Sequence, residues 1–206
     1  MSFPIAVLIS GEGSNLQALL DTVHEQDGIE IVAVAASRAE ARGLARAEAA
    51  GVETAVFALA DQPDRELRDQ ALGDWLEEHG TQLVVLAGFM ELLTPAFIRR
   101  FAGRIVNVHP ALLPAFPGLG AIEQALEHGV KVAGVTVHFV DEGVDSGPIV
   151  LQESFDLPYH PDIAAIEQRF HEVEHRLLPR AVRLIAAGRV RVDENNPRLV
   201  RVEADD

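Results

Sequence analysis

Short apolar runs alternate with helical patterns along the first half of the chain. Residues 5–9, 31–35, 83–87 and 105–108 are nearly continuous in Ile, Val, Leu and Ala, and 52–57 is a shorter, weaker run. Unbroken apolar stretches of this length, rich in β-branched residues, predict strands buried on both faces. Between them, residues 14–25, 39–50 and 64–78 read as helices, with Gly51 and Gly80 ending the second and third. In the third, Leu67, Ala71, Leu72 and Trp75 are spaced to share one apolar face. Repeated strand–helix–strand units of this kind predict a doubly wound, mostly parallel α/β sheet. Its ligands belong beyond the carboxyl ends of the strands, which selects residues 11–15, 88–93 and 109–120. The second half changes pattern. Residues 132–140 and 148–157 predict an antiparallel pair, 162–187 one long C-terminal helix, and 190–192 with 199–202 a tail hairpin around Asn195-Asn196-Pro197. The last few residues are expected to fray.

Length and charge narrow the class. The 206 residues suit one domain, divided as 1–109, 110–188 and the tail 189–206. A hydrophobic fraction of 48% excludes a disordered chain, and the absence of cysteine excludes disulfides and a thiolate nucleophile. The formal net charge is −15 and Lys131 is the only lysine, so nucleic acid and anionic lipid are disfavoured partners. No apolar stretch is long enough to span a bilayer, and the start has no basic region before an apolar run. The expectation is a cytoplasmic protein with small-molecule partners, a monomer or homodimer.

Three segments carry candidate chemistry. Gly11-Glu12-Gly13-Ser14-Asn15-Leu16 begins like a dinucleotide fingerprint but has Leu16 where the third glycine belongs, and Ser37-Arg38 where a ribose-binding acid belongs. With Ser14 as N-cap, the turn into the helix has N–H groups to take one phosphate, or is a plain strand–helix turn. Asn107-Val108-His109-Pro110 closes the fifth strand, where alternation puts Asn107 and His109 on one side. An amide there can donate to a developing oxyanion, and an imidazole can act as acid or base. Pro110, Pro114 and Pro117 stiffen residues 110–118, as the wall of a site or as a rigid connector, and one X-Pro bond here is a candidate for cis. The turn 141–148 is a solvated loop, or brings one carboxylate to His109 and favours the imidazolium. His24, His79, His128, His138, His160, His171 and His175 form no zinc signature; His171 and His175 are four apart on one helical face.

Together, residues 9–17, 86–90, 107–114, 137–140 and 145–148 resemble the folate-dependent formyltransferases, a resemblance that runs to about Gly188. The Asn-x-His-Pro and Leu-Leu-Pro block with the later Asp-x-Gly-Pro is characteristic of that superfamily. The Gly-x-Gly-Ser-Asn-Leu start points to its glycinamide ribonucleotide branch. The resemblance implies a Rossmann-like formyltransferase fold and an enzyme of de novo purine biosynthesis. It would move a formyl group from 10-formyltetrahydrofolate, a co-substrate, to the amine of 5-phosphoribosylglycinamide, with no metal. It implies Asn107, His109 and Asp145 as the catalytic residues. It implies Gly13, Ser14, Asn15, Leu16 and Gln17 as a phosphate cradle, with His171 and Glu174 on the ribose side. For the reduced folate it implies Arg65, Met90, Glu91, Leu92 and Leu93, then Asn107, Val140, Asp141, Glu142, Gly143, Val144 and Asp145.

Many relatives have arginine where Glu91 stands, and some have Lys and His where Ala115 and the Gly120-Ala121 pair stand. Both changes thin the local positive charge. Other readings are a formyltransferase acting on a sugar amine and, from another class, a metal-dependent hydrolase using His109, His138, Asp141 and Asp145.

Overall fold

The computed structural model describes residues 2–158 and 162–203. His160 and the expected fraying of the last three residues lie outside them. The chain divides into two compact units, Met1–Asn107 and Val108–Asp206.

The first unit contains β1 (Phe3–Ile9), α1 (Ser14–Thr22), β2 (Ile29–Ala36), α2 (Gly43–Ala49), β3 (Glu53–Val56), α3 (Arg65–Glu78), β4 (Leu83–Leu86), α4 (Pro95–Arg100) and the start of β5 (Ile105–His109). The strands lie in the order β3-β2-β1-β4-β5, all parallel, as the apolar runs predict. Ile5 to Ile9 are fully buried, as a central strand covered on both faces must be. Right-handed crossovers put α1 and α2 on one face and α3 and α4 on the other, and within each pair the helices touch. The direction of winding reverses between β1 and β4, so the loops after these two strands flank the switch point.

The helices depart from the sequence reading in instructive ways. Helix α1 stops at Thr22, short of Glu25, which takes a φ of 58°. Its N-cap is Gly13, not Ser14: Gly13 adopts the left-handed φ of 71° and Ser14 is the first helical residue. Helix α2 starts only at Gly43 because the chain turns first, with Ala41 N–H on the Arg38 carbonyl. Helix α3 buries Arg68, Asp69, Leu72, Gly73 and Leu76; of the predicted stripe only Leu72 is buried, while Trp75 is half-buried, Ala71 is exposed and Leu67 is 51% exposed. The buried face is half polar. Arg68 Nε lies 2.6 Å from Asp69 Oδ1, and Asp69 Oδ2 accepts from Thr94 N–H at 2.6 Å. A search for apolar spacing passes over such a face. Helix α4 has no counterpart in the sequence reading, although Thr94 as N-cap and Pro95 at the first position mark its start.

The second unit holds α5 (Ala121–Glu127), β6 (Val132–Phe139), β7 (Ile149–Asp156), α6 (Ile163–Ala186), β8 (Val190–Val192) and β9 (Val200–Val202). Helix α5 is likewise additional to the sequence reading. Strands β6 and β7 pair antiparallel, and so do β8 and β9. Helix α6 begins on Asp162, which caps Ala164 N–H, and buries Ile166, Phe170, Val173, Leu177, Leu178 and Ala181 along one side. This stripe packs on β6 and β7. The Leu113–Pro114 bond is cis.

Candidate active site

In the second unit the fold brings together two residues that lie far apart in sequence. His109, the last residue of β5, is buried; Asp145 lies in the turn between β6 and β7. His109 Nδ1 is 3.4 Å from Asp145 Oδ2, and His109 Nε2–H donates to the Phe116 carbonyl at 2.8 Å. A second imidazole repeats the arrangement. His138 Nε2 is 3.6 Å from Asp145 Oδ1, and its Nδ1–H donates to the Phe139 carbonyl at 2.8 Å. Each ring therefore has one nitrogen on a backbone carbonyl and the other facing the same carboxylate. A ring protonated at both nitrogens satisfies both neighbours. Gly118 N–H adds a 2.7 Å hydrogen bond to Asp145 Oδ2. Burial of Asp145 opposes its charge, but the His138 hydrogen bond, the Gly118 N–H and the nearby imidazoles outweigh it and hold the carboxyl below its ordinary range. Asp145 stays an anion at neutral pH.

The turn that presents Asp145 is tightly built. Asp145 has a φ of 49°, a left-handed conformation uncommon outside Gly, Asn and Asp. Asp141 Oδ1 accepts from Gly143 N–H at 3.0 Å and from Ser146 Oγ at 2.7 Å, closing the loop on itself. A side chain at Gly147 would sit 1.9 Å from the Phe139 carbonyl, so only glycine fits against the end of β6. A hollow of about 320 Å³ opens on Asp145, walled by Leu113, Pro114, Pro117, Val144 and Pro148. Val144 is 52% exposed, Glu142 and Gly143 are exposed, and Val140 and Asp141 are half-buried. On α6, His171 Nδ1 meets Glu174 Oε2 at 3.2 Å. That hydrogen bond raises the His171 pKa above 6.5, while burial lowers that of His175, whose ring stacks on it.

The other predicted site residues belong to the first unit. Asn107 is its last residue, half-buried on β5 and two positions before His109. Gly13 to Gln17 form the turn into α1, and no side chain caps that helix. Its first intrahelical bond is Gln17 N–H to the Gly13 carbonyl, so the N–H groups ahead of it have no helical acceptor. After β4, Leu93 is core, Glu91 is half-buried, and Met90 and Leu92 are 56% and 62% exposed. Arg65 Nη2 donates to the Leu92 carbonyl at 2.5 Å, which fixes this loop from α3. Ser10 fixes its other end: Met90 N–H donates to Ser10 Oγ at 2.8 Å, and Ser10 Oγ lies 2.7 Å from Ser37 Oγ.

Sequence reasoning gives no place beside Asp145 to His138 in its main reading, nor any role to Ser10. Each stands at the end of a strand beside a motif, and that position is the available signal. The hydrolase reading groups His138 with His109, Asp141 and Asp145. His109, His138 and Asp145 do converge, but Asp141 turns instead to Gly143 and Ser146. Among the described residues no cluster of three or more His, Asp or Glu is arranged to hold a metal ion.

The profile of the family described as "Formyl transferase" matches residues 4–182. A phosphoribosylglycinamide formyltransferase from Haemophilus influenzae is 42% identical over 93% of this chain and 91% of its own. The trifunctional purine biosynthetic protein adenosine-3 of Bos taurus is 44% identical over 93% of this chain, which spans 19% of that longer protein. The crystal structure of glycinamide ribonucleotide transformylase 1 from Symbiobacterium toebii superposes with a TM-score of 0.92 at 46% identity, covering 98% of this chain and 94% of that one.

Proposed function

The chain belongs to the formyl transferase family, and on that premise we propose that it moves the formyl group of 10-formyltetrahydrofolate to the amine of 5-phosphoribosylglycinamide. The observation that carries this reading is the 3.4 Å approach of His109 to an Asp145 carboxylate held ionised. Formyl transfer to an amine needs a group that stabilises oxygen charge and then delivers a proton to the departing folate nitrogen. His109, backed by Asp145, supplies the positive charge; the amine gives up a proton as its bond to the formyl carbon forms, and the folate nitrogen takes one up as its bond to that carbon breaks, with the His109–Asp145 pair as the relay. The Asn107 amide is the second donor to the oxyanion. To reach the reacting oxygen, His109 Nε2–H exchanges the Phe116 carbonyl for the substrate. Asp145 keeps the imidazole oriented through this exchange.

Binding roles accord with the same reading. Gly13, Ser14, Asn15, Leu16 and Gln17 take the substrate phosphate through backbone N–H groups. His171 and Glu174 face the ribose. Met90 and Leu92 offer exposed apolar surface to the flat folate ring, and Arg65 acts near its tail. Glu91, where many relatives have arginine, weakens attraction to the anionic tail.

A spectroscopic assay of folate conversion, run with and without 5-phosphoribosylglycinamide, tests the proposal. Conversion is expected only with the amine, is expected to survive chelator treatment, and should fall by roughly 10²–10⁴-fold in His109→Ala. Conversion without any amine, or near wild-type turnover in His109→Ala, overturns it.

A further inference from the structure

Helix α2 reads as an ordinary Ala/Arg/Glu-rich surface helix, yet its first turn is fastened to the loop between β1 and α1. Gly43 N–H donates to the Gly11 carbonyl at 3.1 Å. One turn on, Arg46 Nε–H donates to the next carbonyl, that of Glu12, at 2.9 Å. Arg46 Nη1 also donates to Gln17 Oε1 at 3.0 Å, and Gln17 Nε2 to Asp21 Oδ1 at 2.8 Å. The backbones meet without side chains between them: a Cβ on Gly13 would lie 2.6 Å from Gly43 Cα. Two successive carbonyls are thus pinned toward α2.

Peptide planarity turns this into a statement about the opposite side. In a trans peptide the N–H of one residue points away from the carbonyl of the residue before it. Pinning the Gly11 and Glu12 carbonyls on α2 therefore aims the Glu12 and Gly13 N–H groups away from α2, on the approach to the uncapped start of α1. The Arg46 guanidinium also leaves its positive charge directly behind these dipoles. We propose that Arg46 is a positioning residue for phosphate recognition: by holding the Glu12 carbonyl, beside the Gly11 carbonyl that Gly43 N–H holds, it sets the Gly13 N–H toward the anion and does not touch the substrate itself. This rests on the reading of residues 13–17 as the phosphate cradle.

Arg46 is suited to a clean test. It is half-buried beside a hollow of about 430 Å³, bordered by Ala45, Ala49 and Ala50, so truncating it removes hydrogen bonds and little core packing. In Arg46→Ala the KM for 5-phosphoribosylglycinamide is expected to rise about tenfold or more, the cost of losing charge-assisted hydrogen bonds. Competitive inhibition by inorganic phosphate should weaken in parallel, while kcat and the KM for the folate stay within about twofold. Arg46→Lys keeps the charge but cannot serve Glu12 and Gln17 together, and should recover only part of the loss. An unchanged KM and phosphate inhibition in Arg46→Ala, or an equal rise in both substrates' KM values, overturns the proposal. The cradle reading has a separate control: if the wild type is not inhibited by phosphate and uses glycinamide riboside as well as its 5′-phosphate, that reading fails, whatever Arg46 does.

Discussion

Asp145 gathers its neighbours by charge: two imidazoles and one backbone N–H converge on a carboxylate whose charge burial opposes. Asp145→Asn keeps an acceptor for Gly118 and suits the left-handed backbone, so it should fold. It is expected to lose turnover by roughly 10²-fold or more, read by steady-state kinetics beside a melting curve. The sign of the pH effect is fixed by the depressed carboxyl pKa. Its stabilisation is present above the ordinary value of 3.8 and is lost as pH falls from there through the folded value, so acid titration should cost the wild type more than the Asn variant. His171 runs the other way. With its pKa raised by Glu174, its contribution is full below 6.5 and disappears as pH rises through the folded value. NMR titration of Glu174→Gln should move the His171 pKa back down; an unmoved value would mean that Glu174 is not its partner.

Elements differ in how plainly the sequence announces them. The central strands β1 and β4 are legible because residues 5–9 and 83–86 are buried on both faces, so every one of those positions is apolar and no period has to be found. Helix α3 is legible as a helix but not in its orientation, because its inner face carries Arg68, Asp69 and Gly73. Gly73 is there for space: a Cβ on it would meet Arg100 Nη1 at 2.6 Å. Leu72→Ala should therefore cost about 2–5 kcal/mol in denaturant unfolding, and Leu67→Ala less than about 0.5 kcal/mol. A loss of about 2 kcal/mol or more in Leu67→Ala as well would restore the predicted stripe. The site is partly legible for a similar reason. Asn107 and His109 share a strand, so alternation relates them; Asp145 joins His109 only through the pairing of β6 with β7 and the turn between them, which no local pattern encodes. Arg46 stays hidden because its partners include a backbone carbonyl, and carbonyls have no letter in the sequence.

At the scale of the whole molecule, the net charge of −15 sets the background against which the two anionic substrates proposed above would bind. In the proposed reading, backbone N–H groups with Arg46 behind them answer that problem locally at the phosphate. The same excess charge repels itself in the folded state, so raising ionic strength above about 0.1 M at neutral pH should raise Tm. A falling Tm would point instead to attractive ion pairs as the dominant surface effect. Among the described residues no helix is long and apolar enough to cross a membrane.

The hydroxyl of Ser10 supports more than one strand end. It holds the Met90 amide and Ser37, while the Ser10 N–H reaches the Gly88 carbonyl and its own carbonyl receives Arg38. The loop assigned to folate and the loop assigned to phosphate thus hang from one buried atom group at the switch point. Any coupling between ligands at the two loops that runs through this support is reciprocal, each altering the other's affinity by the same factor. Ser10→Ala should loosen that linkage, so that occupancy by one substrate is no longer felt by the second in equilibrium binding measured with and without its companion.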